Sequence, residues 1–203
     1  MYIARILYPV KVLGPGNRVA IWFNGCIHKC SGCSNPELWE LQDRYKTDLN
    51  TIMRMIESIQ NTYSIDGFTL TGGDPFYQPN TLRELLPKLR NISSDILCYT
   101  GYKFEDIKYK YSDIICYISV LIDGKYEEQR NYGEMLRGSD NQNIIILNPE
   151  YEEMYKTYCK QEHSLIQNFF IAGGVISVGI HRPGYEAELD LKLKEKGVKN
   201  INE

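Results

Sequence analysis

The feature that most constrains this chain is a repeated alternation of short apolar runs with stretches of helical spacing. Val19–Phe23 (VAIWF), Gly67–Thr71 (GFTLT), Asp95–Thr100 (DILCYT), Ile114–Ile122 (IICYISVLI) and Asn143–Leu147 (NIIIL) read as strands. Ile114–Ile122 is apolar almost throughout, as a strand covered on both faces of a parallel sheet must be. Between the runs, Leu49, Ile52, Met53, Ile56 and Ile59 recur at helix spacing behind Asp48, whose carboxylate can cap a first turn. Leu82, Leu85, Leu86 and Leu89 repeat the pattern, with Pro87 marking a kink or an end. Phe104–Tyr111 reads as a short helix, and Pro149–Gln161 as a longer one with proline at a favoured first position. Two further strand candidates, Leu165–Ala172 and Val175–Ile180, lead to a charged helix, Tyr185–Lys196, that Gly197 would stop.

Strand–helix alternation implies right-handed crossovers and an α/β fold. The expected architecture is a partial, open β/α barrel of about six mostly parallel strands, because a complete eightfold barrel takes about 250 residues. The 203 residues suit a single domain, 1–203, with a compact core over 1–148 and a C-terminal extension over 149–203 that completes or covers the barrel. The favoured reading of the extension is one more strand–helix unit finishing the sheet. Ligand sites in such folds lie at the C-terminal ends of the strands. A net charge of −3 with 24% charged residues excludes a binder held to nucleic acid by bulk charge, and excludes a disordered chain of high net charge. No apolar run is long enough to span a bilayer, and Met1–Leu13 lacks a secretion signal, so the expected location is the cytoplasm.

Three of the six cysteines, Cys26, Cys30 and Cys33, fall within eight residues, directly after the Val19–Phe23 strand. A tight cluster in a cytosolic chain points to metal binding or redox chemistry rather than to disulfides. Three thiolates on one loop can wrap one metal centre, but ordinary iron–sulfur clusters and structural zinc take four ligands. A four-iron cube on three thiolates leaves one iron open to a small molecule. Alternatively, His28 within the loop completes a Cys3His zinc site. Cys98, Cys116 and Cys159 read as small buried hydrophobes.

The C-x3-C-x2-C spacing after a first strand resembles the radical S-adenosylmethionine (SAM) superfamily, as does Thr71-Gly-Gly-Asp-Pro75 after the next one. Within it, the chain is most similar to the anaerobic ribonucleoside-triphosphate reductase activating proteins. The matching segments are Gly14–Arg18, Gly25–Pro36, Leu70–Pro75, Tyr99–Tyr102, Val120–Lys125 and Arg137–Gln142, in family order over roughly residues 1 to 148. The resemblance implies a four-iron cluster on Cys26, Cys30 and Cys33, with SAM bound at its open iron. Gly72, Gly73 and Asp74 would line the amino end of SAM, the glycines allowing close backbone approach and Asp74 facing the ammonium. Asp123 and Lys125 would meet its methionine moiety, or form a surface ion pair or a turn. Asn35, Thr100 and Gly101 would line the nucleoside side. Arg137 would contact a carboxylate or the partner, or stay solvated.

The implied reaction is reductive cleavage of SAM, fed by a low-potential electron donor, and abstraction of a hydrogen from a glycine of a partner enzyme. Two rival readings are a radical SAM enzyme acting on a peptide or small molecule, and a zinc or iron–sulfur module without turnover. Ser34 stands where the family commonly has an aromatic residue. Residues 149–203, with His181 an unassigned loop residue, match nothing in the family pattern.

Overall fold

A computed structural model describes residues 1–160, 165–171 and 174–195. Its main sheet has six strands that neighbour one another in chain order: β1 (Ile3–Val10), β2 (Arg18–Phe23), β3 (Gly67–Gly72), β4 (Ile96–Tyr99), β5 (Val120–Asp123) and β6 (Asn143–Ile146). The four central strands, β2 to β5, are parallel, with Val19 beside Phe68, Phe68 beside Ile96 and Leu97 beside Val120. The α/β sheet is thus open and mostly parallel in its core, as the alternation predicts. Both edges depart from that expectation. β1 runs antiparallel to β2, and β6 antiparallel to β5. The β5–β6 connection holds only a single 3-10 turn, Glu128–Arg130, so no crossover helix carries the chain back for a parallel return.

β1 is absent from the sequence reading. Six of its eight residues are only half-buried, and Pro9 is tolerated because β1 is an edge strand. The run Ile114–Ile122 is corrected as well. Its first residues close a one-turn helix, α4 (Ser112–Ile115), and only Val120 onward enters β5. A short apolar run cannot by itself distinguish a buried turn from a buried strand.

Side chains alternate across the sheet with period two. Val19, Ile21, Phe23, Phe68, Leu70, Ile96, Cys98 and Leu121 face α1 (Leu49–Gln60) and α2 (Pro79–Arg90) in the largest core cluster. Asp48 caps α1, accepting from Thr51 N at 2.9 Å. α2 continues past Pro87 to Arg90, anchored by buried Leu82, Leu85, Leu86 and Leu89; a proline in the last turn removes only one backbone bond. Each such buried leucine contributes about 1.5–3 kcal/mol. The expected Phe104–Tyr111 helix is only α3 (Phe104–Ile107).

The opposite face is covered by the C-terminal segment. Leu97, Val120 and Ile122 pack on Tyr155 and Tyr158 of α5 (Glu152–Cys159), which follows a 3-10 turn opened by Pro149. β7 (Ile166–Ile171) and β8 (Gly174–Gly179) form a separate antiparallel sheet rather than extending the main one, which corrects the expected strand–helix unit. Paired with each other, they lie over the inner face, where Phe169, Ile176 and Val178 meet Ala20, Trp22 and Leu38. Gln167 of β7 donates to Pro9 O at 2.7 Å and accepts from Lys11 N at 3.0 Å. α6 (Tyr185–Glu195) follows; the expected end of the α5 helix at Gln161, of β7 at Ala172, and the Lys196–Gly197 stop lie outside the described residues. No helix among the described residues is long and apolar enough to cross a membrane.

One polar group crosses the core. Arg18 is fully buried and ion-paired to Asp95, and it donates to Thr69 Oγ1 (2.7 Å) and Phe68 O (2.6 Å). Tyr155 Oη completes Asp95 at 2.7 Å, tying α5 to the sheet.

Candidate iron–sulfur site and its surroundings

Parallel strands all end at one edge, so the segments after β2, β3, β4 and β5 meet there: the cysteine loop, Gly72–Asp74, Thr100–Gly101 and Asp123–Lys125. The cysteine loop is fixed at its base by Gly25 N to Leu38 O (2.8 Å) and Cys26 N to Trp39 O (2.9 Å). The buried Asn24 side chain adds bonds to Leu38 O and Glu40 O. Lys29 (φ 47°) and Gly32 (φ 68°) adopt left-handed backbone, curling the loop. The three thiols are free and half-buried. Burial pushes the Cys26 and Cys30 thiols up, and the Lys125 ammonium partly offsets this at Cys30. Asn35 N donates to Cys33 Sγ at 3.4 Å.

Among the described residues, no three His, Cys, Asp or Glu side chains converge tightly enough to hold one metal ion. His28 is not grouped with the thiols as a metal-binding set among the described residues; its Nε2 lies 2.8 Å from Asp74 Oδ2. The donor set is three thiols on one curled loop. It fits a body larger than a single ion, such as an iron–sulfur cluster, better than a closed tetrahedral zinc site. Of the scattered cysteines, Cys98 is buried in β4, but Cys116 is exposed just past α4, against expectation.

Asp74 is the hub of the strand-end loops. It is 1% exposed and accepts from Phe76 N (2.9 Å), Gly101 N (2.9 Å), Thr100 Oγ1 (3.0 Å) and His28 Nε2. Its carboxylate therefore ties the cysteine loop to the ends of β3 and β4, rather than presenting a free edge to an ammonium. His28 also meets the Tyr102 ring edge-on, 4.7 Å between centroids. The glycines have a packing reason: a Cβ at Gly72 would stand 2.6 Å from Phe23 O, and one at Gly73 2.4 Å from Gly25 O. A Cβ at Gly101 would stand 2.3 Å from His28 Cδ2.

Among the described residues Asp123 and Lys125 form no ion pair; the lysine beside Asp123 is Lys103, at 4.0 Å. Asp123 is buried and accepts from Phe104 N (2.8 Å) and Asn143 Nδ2 (2.7 Å), whereas Lys125 is exposed. Arg137 is half-buried. It pairs with Glu134 and donates to Gln142 O at 3.1 Å. Gln142 in turn donates to Gly124 O at 2.7 Å, so the segment braces the end of β5.

Two clefts flank the cysteine loop. One, of about 400 Å3, is lined by Ile27, His28, Gly101, Tyr102, Lys103 and Lys125 among others. The other, of about 370 Å3, opens on the inner face between Cys33, Asn35, Trp22, Thr71 and Tyr99 on one side and β8 with His181 and Tyr185 on the other. The predicted site residues are thus divided between them, Asn35 in the inner cleft and Gly101 with Lys125 in the outer one.

The family described as "4Fe-4S single cluster domain" matches residues 12–145, which take in the cysteine loop and the ends of all four parallel strands. An anaerobic ribonucleoside-triphosphate reductase-activating protein of Enterobacteria phage T4 is 41% identical over 145 residues, covering 68% of this chain and 90% of the relative. The chain belongs to this family of activating proteins. The same-named proteins of Vibrio cholerae and Escherichia coli are 33% and 30% identical, over 93% and 92% of their lengths. The relatives match only about two thirds of this activating-protein homologue, and the family match ends before α5, β7, β8 and α6.

Two structural residues escaped the sequence reading. Asp95 gave no local signal, since its partner Arg18 lies 77 positions away. His28 was visible only as a possible ligand, because its partner Asp74 lies 46 positions away.

Proposed function

We propose that this chain is a radical SAM activating enzyme, working on an anaerobic ribonucleotide reductase as its partner protein and housed in the cytoplasm. The observation that carries the reading is three free thiols on one curled loop, beside Gly72–Asp74, at the C-terminal edge of four parallel strands. The matched family and the names of the relatives support it. Cys26, Cys30 and Cys33 would hold a four-iron cluster, and SAM would lie at the strand ends against it. Together the two groups would supply an electron from a low-potential donor and a carbon radical able to take a hydrogen from a glycine of the partner.

The chain's own residues position and shelter that chemistry. His28, held by Asp74, fixes the cysteine loop against Gly101 and Tyr102. Lys125 puts a positive charge near Cys30, which favours the thiolate form that a metal centre requires. Among the described residues it is a lysine of the outer cleft with no ion pair, suited to a carboxylate there, whereas Lys103 faces Asp123. Asp123 holds the starts of α3 and β6 and thereby the shape of that cleft.

The partner is tested by mixing the reconstituted, reduced protein with SAM and an anaerobic ribonucleoside-triphosphate reductase and recording the electron paramagnetic resonance spectrum. A carbon-centred glycyl signal on the reductase is the expected outcome. The wall of β8 and His181 over the inner cleft favours a second reading, a small-molecule substrate. Cleavage of SAM without any radical on the reductase would select it.

A further inference from the structure

The inner cleft has two walls of different origin. One belongs to the matched core: Cys33, Asn35, Trp22 and Tyr99. The other is built by residues beyond the family match, Ser177, His181 and Tyr185. One polar atom of the second wall, His181 Nδ1, is buried without a hydrogen-bond partner among the described residues. Orphaned buried polar atoms are rare, because each forfeits its solvation. His181 is held by three neighbours. Its ring stacks on Tyr185 with centroids 4.6 Å apart and planes 9° apart, its Nε2 meets Ser177 Oγ at 3.1 Å, and its carbonyl accepts from Asn131 Nδ2 at 2.7 Å. Burial pushes the imidazole pKa down, so the ring is neutral and Nδ1 can serve as either donor or acceptor.

We propose that the C-terminal segment supplies the outer wall of a nucleoside site, with His181 as its binding residue. The cleft volume of about 370 Å3 falls in the range of small-ligand pockets. Its aromatic sides suit a flat heterocycle, and a small turn of the His181 ring would offer its unpartnered Nδ1 to the hydrogen-bonding edge of that heterocycle or its ribose. Cys33 in the same wall puts the ligand next to the cysteine loop. The proposal rests on the radical SAM reading and adds to it a residue from outside the family match. SAM would be gripped on its nucleoside side by this chain's own extension.

The test is equilibrium dialysis with the full-length, anaerobically reconstituted protein, without reductant so that nothing turns over, using SAM and adenosine as separate probes. The wild type binds both. His181→Ala weakens both about tenfold, the loss of one buried hydrogen bond, while iron content and thermal midpoint stay near wild type. His181→Asn, which places an amide near the Nδ1 position, recovers most of the affinity. If His181→Ala does not fold, Ser177→Ala, which frees the imidazole to turn, still weakens both probes severalfold. Unchanged affinity for both probes in the folded variants overturns the proposal. A wild type that binds adenosine in a His181-dependent way but not SAM keeps the nucleoside site and sinks the radical SAM reading. Binding of neither probe sinks both.

Discussion

Asp74 accepts from groups on three separate segments, and that number sets what its loss should do. Asp74→Ala leaves the Gly101 amide, the Thr100 hydroxyl and the His28 ring without their acceptor. The expected loss is roughly 2–4 kcal/mol, read from the urea midpoint of the metal-free protein. His28→Ala frees only the carboxylate side of that contact. It should leave the urea midpoint within about 1 kcal/mol of wild type yet lower the iron retained after desalting, because the cysteine loop loses its tether. A midpoint drop as large as that of Asp74→Ala would show that the histidine serves the fold rather than the loop. Arg18 makes the opposite case. Arg18→Ala strands the buried Asp95 carboxylate, and the expected cost is about 3–5 kcal/mol. A cost under 1 kcal/mol would mean that water reaches the pair.

At the scale of elements, the loop after β3 has no room for side chains. Gly72 has φ 102° and Gly73 packs on Gly25 O, so alanine at either position should cost roughly 1–3 kcal/mol by prying β3 from β2. Gly133 is the control: its φ is 77°, but nothing lies within 4 Å, so Gly133→Ala should cost about 1 kcal/mol of backbone strain only. Equal costs at the three positions would contradict the packing explanation. The extension carries a pH signature. Burial holds the folded His181 below its ordinary pKa of 6.5, so on acidification the unfolded chain takes up the proton first. Stability should therefore fall as pH drops below about 6.5 and level off once the folded pKa is passed. His181→Asn should flatten that part of the profile; an unchanged profile would assign the slope to other groups.

These elements also show what a sequence can and cannot reveal. β2 and β3 are legible because each is a local apolar run, and the cysteine loop because its spacing is local. The direction of β6 and the separate sheet of β7 and β8 are not, since they depend on how connections travel through space. The contacts of Asp74 reach across 26, 27 and 46 positions, so the motif's acid was visible but not its role as a hub.

For the whole molecule, the fold places every predicted site segment at one edge of the sheet and adds a second wall from beyond the family match. The proposed activity requires that the cysteine loop hold a cluster that cleaves SAM. The most direct test is to reconstitute the protein with iron and sulfide without oxygen, reduce it, add SAM and quantify 5′-deoxyadenosine, with Cys30→Ala alongside. Product from the wild type and none from the variant is the expected result. A wild type loaded with four irons per chain that yields no 5′-deoxyadenosine, with the reductase present or absent, would contradict it.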